Sequence, residues 1–300
     1  MRLSSVIVDG TTIVAASTAD GLRDLTALLP TPRTSADPMI EIVSIIDEIT
    51  AEQVAAQPLL TCEPAYAPLV SRPSKVVAAP VNYTDHQEEM KQVGDVSALG
   101  FFLKAPSSVL AHGGTVQLPY TDRRFDQEGE LALVVKKRAR NIRPEEFEEY
   151  VAGYTVLMDI TMRGGEDRST RKSFETFTPV GPELVTPDEI SDLRALTLRT
   201  WVNGECRQDA DISALIWDVP TFLSYVSTVM TLEPGDLVTT GTPAGVGVIK
   251  EGDDVTVTID EIGTLAVSVT EHGAVPCPTG GAESGPRPPE TVTPVRQRES

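Results

Sequence analysis

Two glutamates, Glu128 and Glu130, flank a single glycine in the run DQEGELALVV, and Asp159 closes the apolar run of YTVLMDI. Alternate residues of a strand face the same way, so Glu128 and Glu130 can converge on one centre. Carboxylates beside Val, Leu and Ile are costly to bury unless a cation or hydrogen bonds compensate them. With Asp159 the pair would make an all-oxygen cluster of the kind that hard divalent cations take. The same spacing also fits acids at a water-filled strand mouth, and residue types alone leave both readings open.

A second constellation lies in NYTDHQEEM, residues Asn82 to Met90. On a helical turn His86 and Glu89 share a face at i and i+3. Glu89 could then orient the imidazole, or the two could share a water as a general-base pair. An exposed surface helix is the competing reading. In TRKSFETFTPVGP a lysine inside a cleft, Lys172, could stabilise an enolate or grip a carboxylate; as part of an exposed pair with Arg171 it would need no function. MRGGEDRS is polar and glycine-rich after an apolar strand, as expected of an active-site loop. Arg163 is its anion-binding candidate, while Glu166, Asp167 and Arg168 could equally form local ion pairs. TTGTPAGVGVIKEGDDV places Thr240 and Thr242 among Gly241, Gly245 and Gly247, a loop able to bring N–H groups close to an anion. It lacks the Walker lysine and the dinucleotide fingerprint, so nucleotide binding is not expected. His112, beside two glycines, reads as a turn near the cleft, and His272 as incidental.

The elements that must position these groups are mostly short β-prone runs between Gly, Pro and Asp turns. GTVQLPY, GELALVVKK, YTVLMDI, LTLRTWVNG, DLVTTG and DDVTVTIDEIGTLAVSV are strand candidates. PEEFEEYVAG and VPTFLSYVSTVM are helix candidates. Without regular alternation of strand and helix, the pattern predicts a mixed, mainly β architecture and not a doubly wound sheet. Residues 1–70 read as a small α/β accessory domain, with a strand pair, an amphipathic segment around Leu22 to Leu29 and a helix-like stretch near Ile45 to Ala56. A Pro-rich passage from Pro58 to Pro80 leads into a main domain, 71–272. Residues 273–300, with six prolines and few large apolar side chains, read as a disordered tail outside the functional core.

The chain has 300 residues and a formal charge of −19, which opposes non-specific binding to nucleic acid or an anionic membrane. The one basic run, Lys136 to Arg140, follows an apolar strand and reads as its solvated end. No apolar run is long enough to span a bilayer. The opening MRLSSVIVDGTTIVAAS reads as strand, turn and strand and not as a secretory signal. Cys62, Cys206 and Cys277 have no metal-ligand spacing, and their odd count argues against a disulfide framework. A cytoplasmic protein is expected.

In this order, NYTDH, EGELALVV, VAGYTVLMDIT, RKSFETFTPVGP, VNGECRQ and PGDLVTTGTPAGVG resemble the fumarylacetoacetate hydrolase family over roughly Lys75 to Val269. The resemblance implies a β-sandwich roll, usually homodimeric, with Mg2+ or Mn2+ in its cleft. Glu128, Glu130 and Asp159 then match the metal ligands, and His86 and Glu89 the pair that activates water. Lys172 matches the lysine near the enolate, Arg163 an arginine of the mobile loop, and Thr242 a substrate-binding threonine; Tyr83 lines the pocket. Two positions depart from the pattern. Met158 stands where members commonly carry asparagine, and Arg163-Gly164-Gly165-Glu166 replaces an arginine-aspartate-x-glutamine run. Glu166 thus occupies a glutamine position, and an ionised glutamate only accepts hydrogen bonds.

The activity this implies is metal-dependent hydrolysis of a C–C bond in an acylpyruvate or related β-diketo acid, a small-molecule keto acid. Isomerisation, decarboxylation or hydration of a 2-keto acid on the same metal-enolate scaffold is the alternative. A non-catalytic binding or structural role is the third reading.

Overall fold

The computed structural model describes residues 1–61, 63–293 and 295; Cys62 and the last part of the tail, 294 and 296–300, lie outside the described residues. Strand Gly129–Val135, carrying Glu130, is buried along its whole length. Its odd residues Leu131, Leu133 and Val135 enter one apolar cluster together with Leu198, Val257 and Leu265. Its even residues Ala132 and Val134 enter another with Met39, Ile42 and Leu237. The period-two pleat therefore serves two cores at once, which is why the run reads as continuously apolar.

Around this strand eleven strands form the largest sheet among the described residues, and a separate five-stranded sheet packs against its odd-residue face. Val151–Met158 pairs antiparallel with Gly129–Val135, with Gly129 opposite Met158. Leu237–Thr239 pairs on the other side, with Ala132 opposite Thr239. The second sheet contains Thr197–Val202, Asp254–Ile259 and Gly263–Thr270. Mainly β structure is thus observed, and helix Val219–Val229 lies where its apolar run predicts.

Three local expectations change. The segment around Leu22 to Leu29 is a strand, Gly21–Asp24, followed by a 3-10 turn, Thr26–Leu28. The stretch Ile45 to Ala56 is broken into a 3-10 turn, Ile46–Glu48, and a short helix, Ala51–Ala55. A capping box between Thr50 and Gln53 starts that helix anew. PEEFEEY forms a 3-10 helix, Pro144–Tyr150, and the chain then enters a strand at once.

The first strand, Arg2–Val8, pairs with Thr178–Val185 of the main domain, so the hydrogen-bonded sheet runs through the boundary expected near residue 70. The described part of the C-terminal segment runs against the core. Gly165 N–H donates to Gly281 C=O, and Thr293 reaches Glu89.

Candidate active site

Antiparallel pairing places Asp159 beside the glutamates: its N–H donates to Glu128 C=O at 2.8 Å. Glu128, Glu130 and Asp159 are all buried, with carboxylate oxygens within 4.8 Å of one another. Gly129 permits the close approach, because a Cβ there would collide with Thr200 and crowd Val257 of the facing sheet. Glu130 accepts from Thr239 Oγ1 and from Gly241 N at 2.9 Å. Gly241 has φ +91°, a left-handed conformation suited to glycine, in the turn that aims this amide.

Cations surround the triad. Lys172 Nζ donates to Glu128 at 2.6 Å and to Asp159 at 2.5 Å. Arg163 donates to Glu128 at 2.7 Å and to Asp126 at 2.6 Å. Lys104 Nζ donates to Asp159 and to Phe177 C=O. Burial works to raise the Glu128 carboxyl, but Lys172 and Arg163 outweigh it and hold it well below the usual range. Glu130 goes the other way: burial, then the charge of Asp159, push it up to about 8. Burial likewise pulls the Lys104 ammonium down, against the opposing pull of Asp159.

The helix Thr84–Glu89 forms as the i, i+3 spacing predicts, and His86 Nδ1 lies 3.0 Å from Glu89 Oε2. Burial would raise Glu89, yet hydrogen bonds from His86, Thr293 and Gly245 N–H keep its carboxyl below the ordinary value. An ionised Glu89 requires Nδ1–H to donate, which leaves Nε2 as the free acceptor. Tyr83 is fully buried and its hydroxyl makes no hydrogen bond among the described residues. Burial, then the charge of Glu130, raises it further above its usual value.

One pocket unites His86, Glu128, Arg163, Arg168, Lys172 and Pro286. The space between them is about 20 Å³, enough to admit a water. Two sequence candidates, Glu166 and Thr242, lie outside this lining, and a third, Arg163, lies within it. Glu166 does not line this pocket; it binds Arg123 at 2.6 Å and Thr279 of the C-terminal segment. Arg163 is fully engaged with Asp126 and Glu128, so it holds a carboxylate of the protein itself. Thr242 Oγ1 donates to Gly129 C=O and accepts from Gln208 Nε2, tying its loop to the acidic strand. Sequence reasoning missed Lys104, Asp126, Gln208 and Thr239. None left a local signal, because the partner of each lies far along the chain.

Residues 75–270 match the profile of the fumarylacetoacetate (FAA) hydrolase C-terminal domain. The chain belongs to the fumarylacetoacetate hydrolase family. Within this family it is 43% identical over 211 residues to a maleylpyruvate hydrolase of Aquipseudomonas alcaligenes, covering 67% of this chain and 74% of that protein. It is 38% identical over 201 residues to a 4-hydroxyphenylacetate degradation bifunctional isomerase/decarboxylase of Salmonella dublin, covering 65% of this chain and 47% of that protein. The crystal structure of maleylpyruvate hydrolase from Sphingobium sp. SYK-6, in complex with manganese(II) ion and pyruvate, superposes with TM-score 0.77 at 33% identity. The match covers 90% of this chain and 99% of that one. Members of this enzyme family depend on a metal, and the donor set here fits a divalent ion. Three buried oxygen donors converge, and burial, then the charge of Asp159, already disfavours ionisation of Glu130. All-oxygen ligation suits Mg2+ or Mn2+ better than Zn2+.

Proposed function

We propose that this chain hydrolyses a C–C bond in an acylpyruvate or related β-diketo acid. The observation that carries the reading is the His86–Glu89 dyad opening into the pocket that Glu128 and Lys172 share. Isomerisation and decarboxylation need a stabilised enolate, but only hydrolysis also needs a base for water.

Glu128, Glu130 and Asp159 would hold Mg2+ or Mn2+, which when bound supplies positive charge to stabilise an enolate. His86 Nε2 takes a proton from water while Glu89 fixes the tautomer and stabilises the imidazolium. The resulting hydroxide adds to the distal carbonyl carbon. When this adduct collapses, the C–C bond breaks, its electron pair passes to the pyruvate fragment as an enolate, and the distal carbon leaves as a carboxylic acid. Lys172 Nζ stands where it can share that enolate's charge. Proton return from His86 to the enolate carbon completes pyruvate. Tyr83 is fully buried and does not line the pocket, so its hydroxyl is left out of the substrate contacts. Arg163 keeps Glu128 oriented, and Thr242 holds the loop above the acids.

A second reading, isomerase or decarboxylase chemistry, draws support from the Salmonella dublin relative and from Glu166 in place of a glutamine. Incubation with acylpyruvates and Mg2+ or Mn2+, followed by mass spectrometry, separates the two. Equimolar pyruvate and carboxylic acid support hydrolysis. A rearranged keto acid, or CO2 without pyruvate, supports the second reading.

A further inference from the structure

The C-terminal segment meets the main domain through a polar knot outside the lining of the acidic pocket. Val275 begins it, donating its N–H to Pro119 C=O and accepting from Thr121 N–H. Cys277 N–H then donates to Asp122 Oδ1 at 2.8 Å. The sulfur of Cys277 lies 3.3 Å from Thr279 Oγ1 and within electrostatic reach of the Arg123 guanidinium.

Arg123 has donors to spare. Its side chain is only 1% exposed. Nη2 donates to Glu166 Oε1 at 2.6 Å, to Thr279 C=O at 2.9 Å and to Thr279 Oγ1 at 2.6 Å. Nε and Nη1 are buried and find no acceptor among the described residues. Glu166 therefore answers the cation at one nitrogen and leaves two others without an oxygen. A buried donor in that state is destabilising until an acceptor reaches it.

The thiols of Cys277 and Cys206 differ in the same sense. Both are half-buried. At Cys206 burial, then the charge of Asp209, pushes the thiol up. At Cys277 burial also works upward, yet contacts with Thr279 and then Arg123 bring the thiol below its ordinary value. The adjacent carboxylates are already engaged, Asp122 by Cys277 N–H and Glu166 by Arg123 and Thr279. A partly open thiol beside a cation is the reactive form of cysteine.

We propose that Cys277 is a site of oxidation by hydroperoxides, with Arg123 holding the oxygen that the sulfur gains. The thiolate attacks one peroxide oxygen and the O–O bond breaks. The other oxygen leaves with the bonding pair and takes up a proton. Sulfur loses two electrons, the peroxide gains two, and Cys277 becomes a sulfenic acid. The new oxygen supplies the acceptor that Nε and Nη1 lack. One small-molecule thiol then displaces water to form a mixed disulfide, and a second releases Cys277. Thr279 also binds Glu166, so the modified sulfur sits on the tie between the C-terminal segment and the loop Gly164-Gly165-Glu166.

Brief exposure of the Mg2+-loaded full chain to hydrogen peroxide, with dimedone trapping and peptide mass spectrometry, follows each cysteine separately. At pH 7 Cys277 should be labelled at least about tenfold faster than Cys206, and dithiothreitol added before dimedone should erase the label. The Cys277 rate should also reach half its plateau at a lower pH than that of Cys206. Arg123→Gln should slow Cys277 about threefold or more and move that midpoint up, leaving Cys206 unchanged. Thr279→Val, which keeps the guanidinium, should act in the same direction and decides the matter if Arg123→Gln does not fold. Equal labelling of Cys277 and Cys206 in the wild type would overturn the assignment. So would an unchanged Cys277 rate in a variant that circular dichroism shows to be folded.

Discussion

Replacing His86 by alanine removes the base that the dyad presents, and kcat should fall by about 10²–10⁴. Mn2+ affinity should stay near that of the wild type, because His86 is not one of the clustered carboxylates. Steady-state kinetics beside a metal titration check both halves, and undiminished kcat would remove His86 from the chemistry. Glu130 gives a pH signature. Its metal-free pKa lies near 8, raised first by burial and then by Asp159, so at neutral pH it is mostly protonated. Binding a cation must expel that proton. Mn2+ affinity should therefore rise as pH increases from 6 to about 8, by up to roughly tenfold per unit for one proton, and then level off. Flat affinity across that range would contradict the raised pKa. At this scale the sequence was most legible where residue type and spacing carry meaning together, as in Glu128-x-Glu130 and His86-x-x-Glu89. Lys104 and Thr239 were opaque because their partners, Asp159 and Glu130, lie far along the chain.

Among the elements, Gly129 shows what the acidic strand demands of its neighbours. Ala in its place would set a methyl against Thr200 and Val257. Overpacking of this kind typically costs about 1–3 kcal/mol, so denaturant unfolding of Gly129→Ala should show a loss on that scale. An unchanged midpoint would mean that the two sheets can separate at low cost. The strands themselves were readable from their apolar runs and turn residues. Less readable was PEEFEEY, whose proline start and acidic pattern suit an α-helix, while the chain forms a 3-10 helix and enters strand Val151–Met158 directly after it. The C-terminal segment hid its placement, since Thr279, Gly281, Pro286 and Thr293 make contacts that composition does not encode. Ending the chain at Pro276 removes the Thr279–Glu166 and Thr293–Glu89 bonds and the Pro286 wall. If the Pro286 wall restricts entry to the pocket, kcat/KM should rise by the inverse of the fraction already open. A fall in kcat/KM with folding intact would show instead that the segment helps to build the site.

For the whole molecule, the acids at the centre are paired with Lys104, Arg163 and Lys172. A divalent cation binding only the folded chain should add about 2.7 kcal/mol of stability at a hundredfold excess over Kd. Thermal melts with Mn2+ and with a chelator should separate accordingly, whereas superimposed melts would argue against a tight site on the triad. The family and its mainly β fold were legible from ordered motifs spread over most of the chain, and the profile match over residues 75–270 agrees with them. What the motifs could not convey was the continuity of the sheet into residues 2–8, because strand pairing across that distance leaves no local mark. Water attack at the distal carbonyl is the central claim, and turnover of an acylpyruvate by the Mn2+-loaded protein in oxygen-18 water tests it most directly. Hydrolysis predicts one heavy oxygen in the carboxylic acid released from the acyl end, with pyruvate formed in equal amount. Consumption of the keto acid without pyruvate and without label in a carboxylic acid would contradict it.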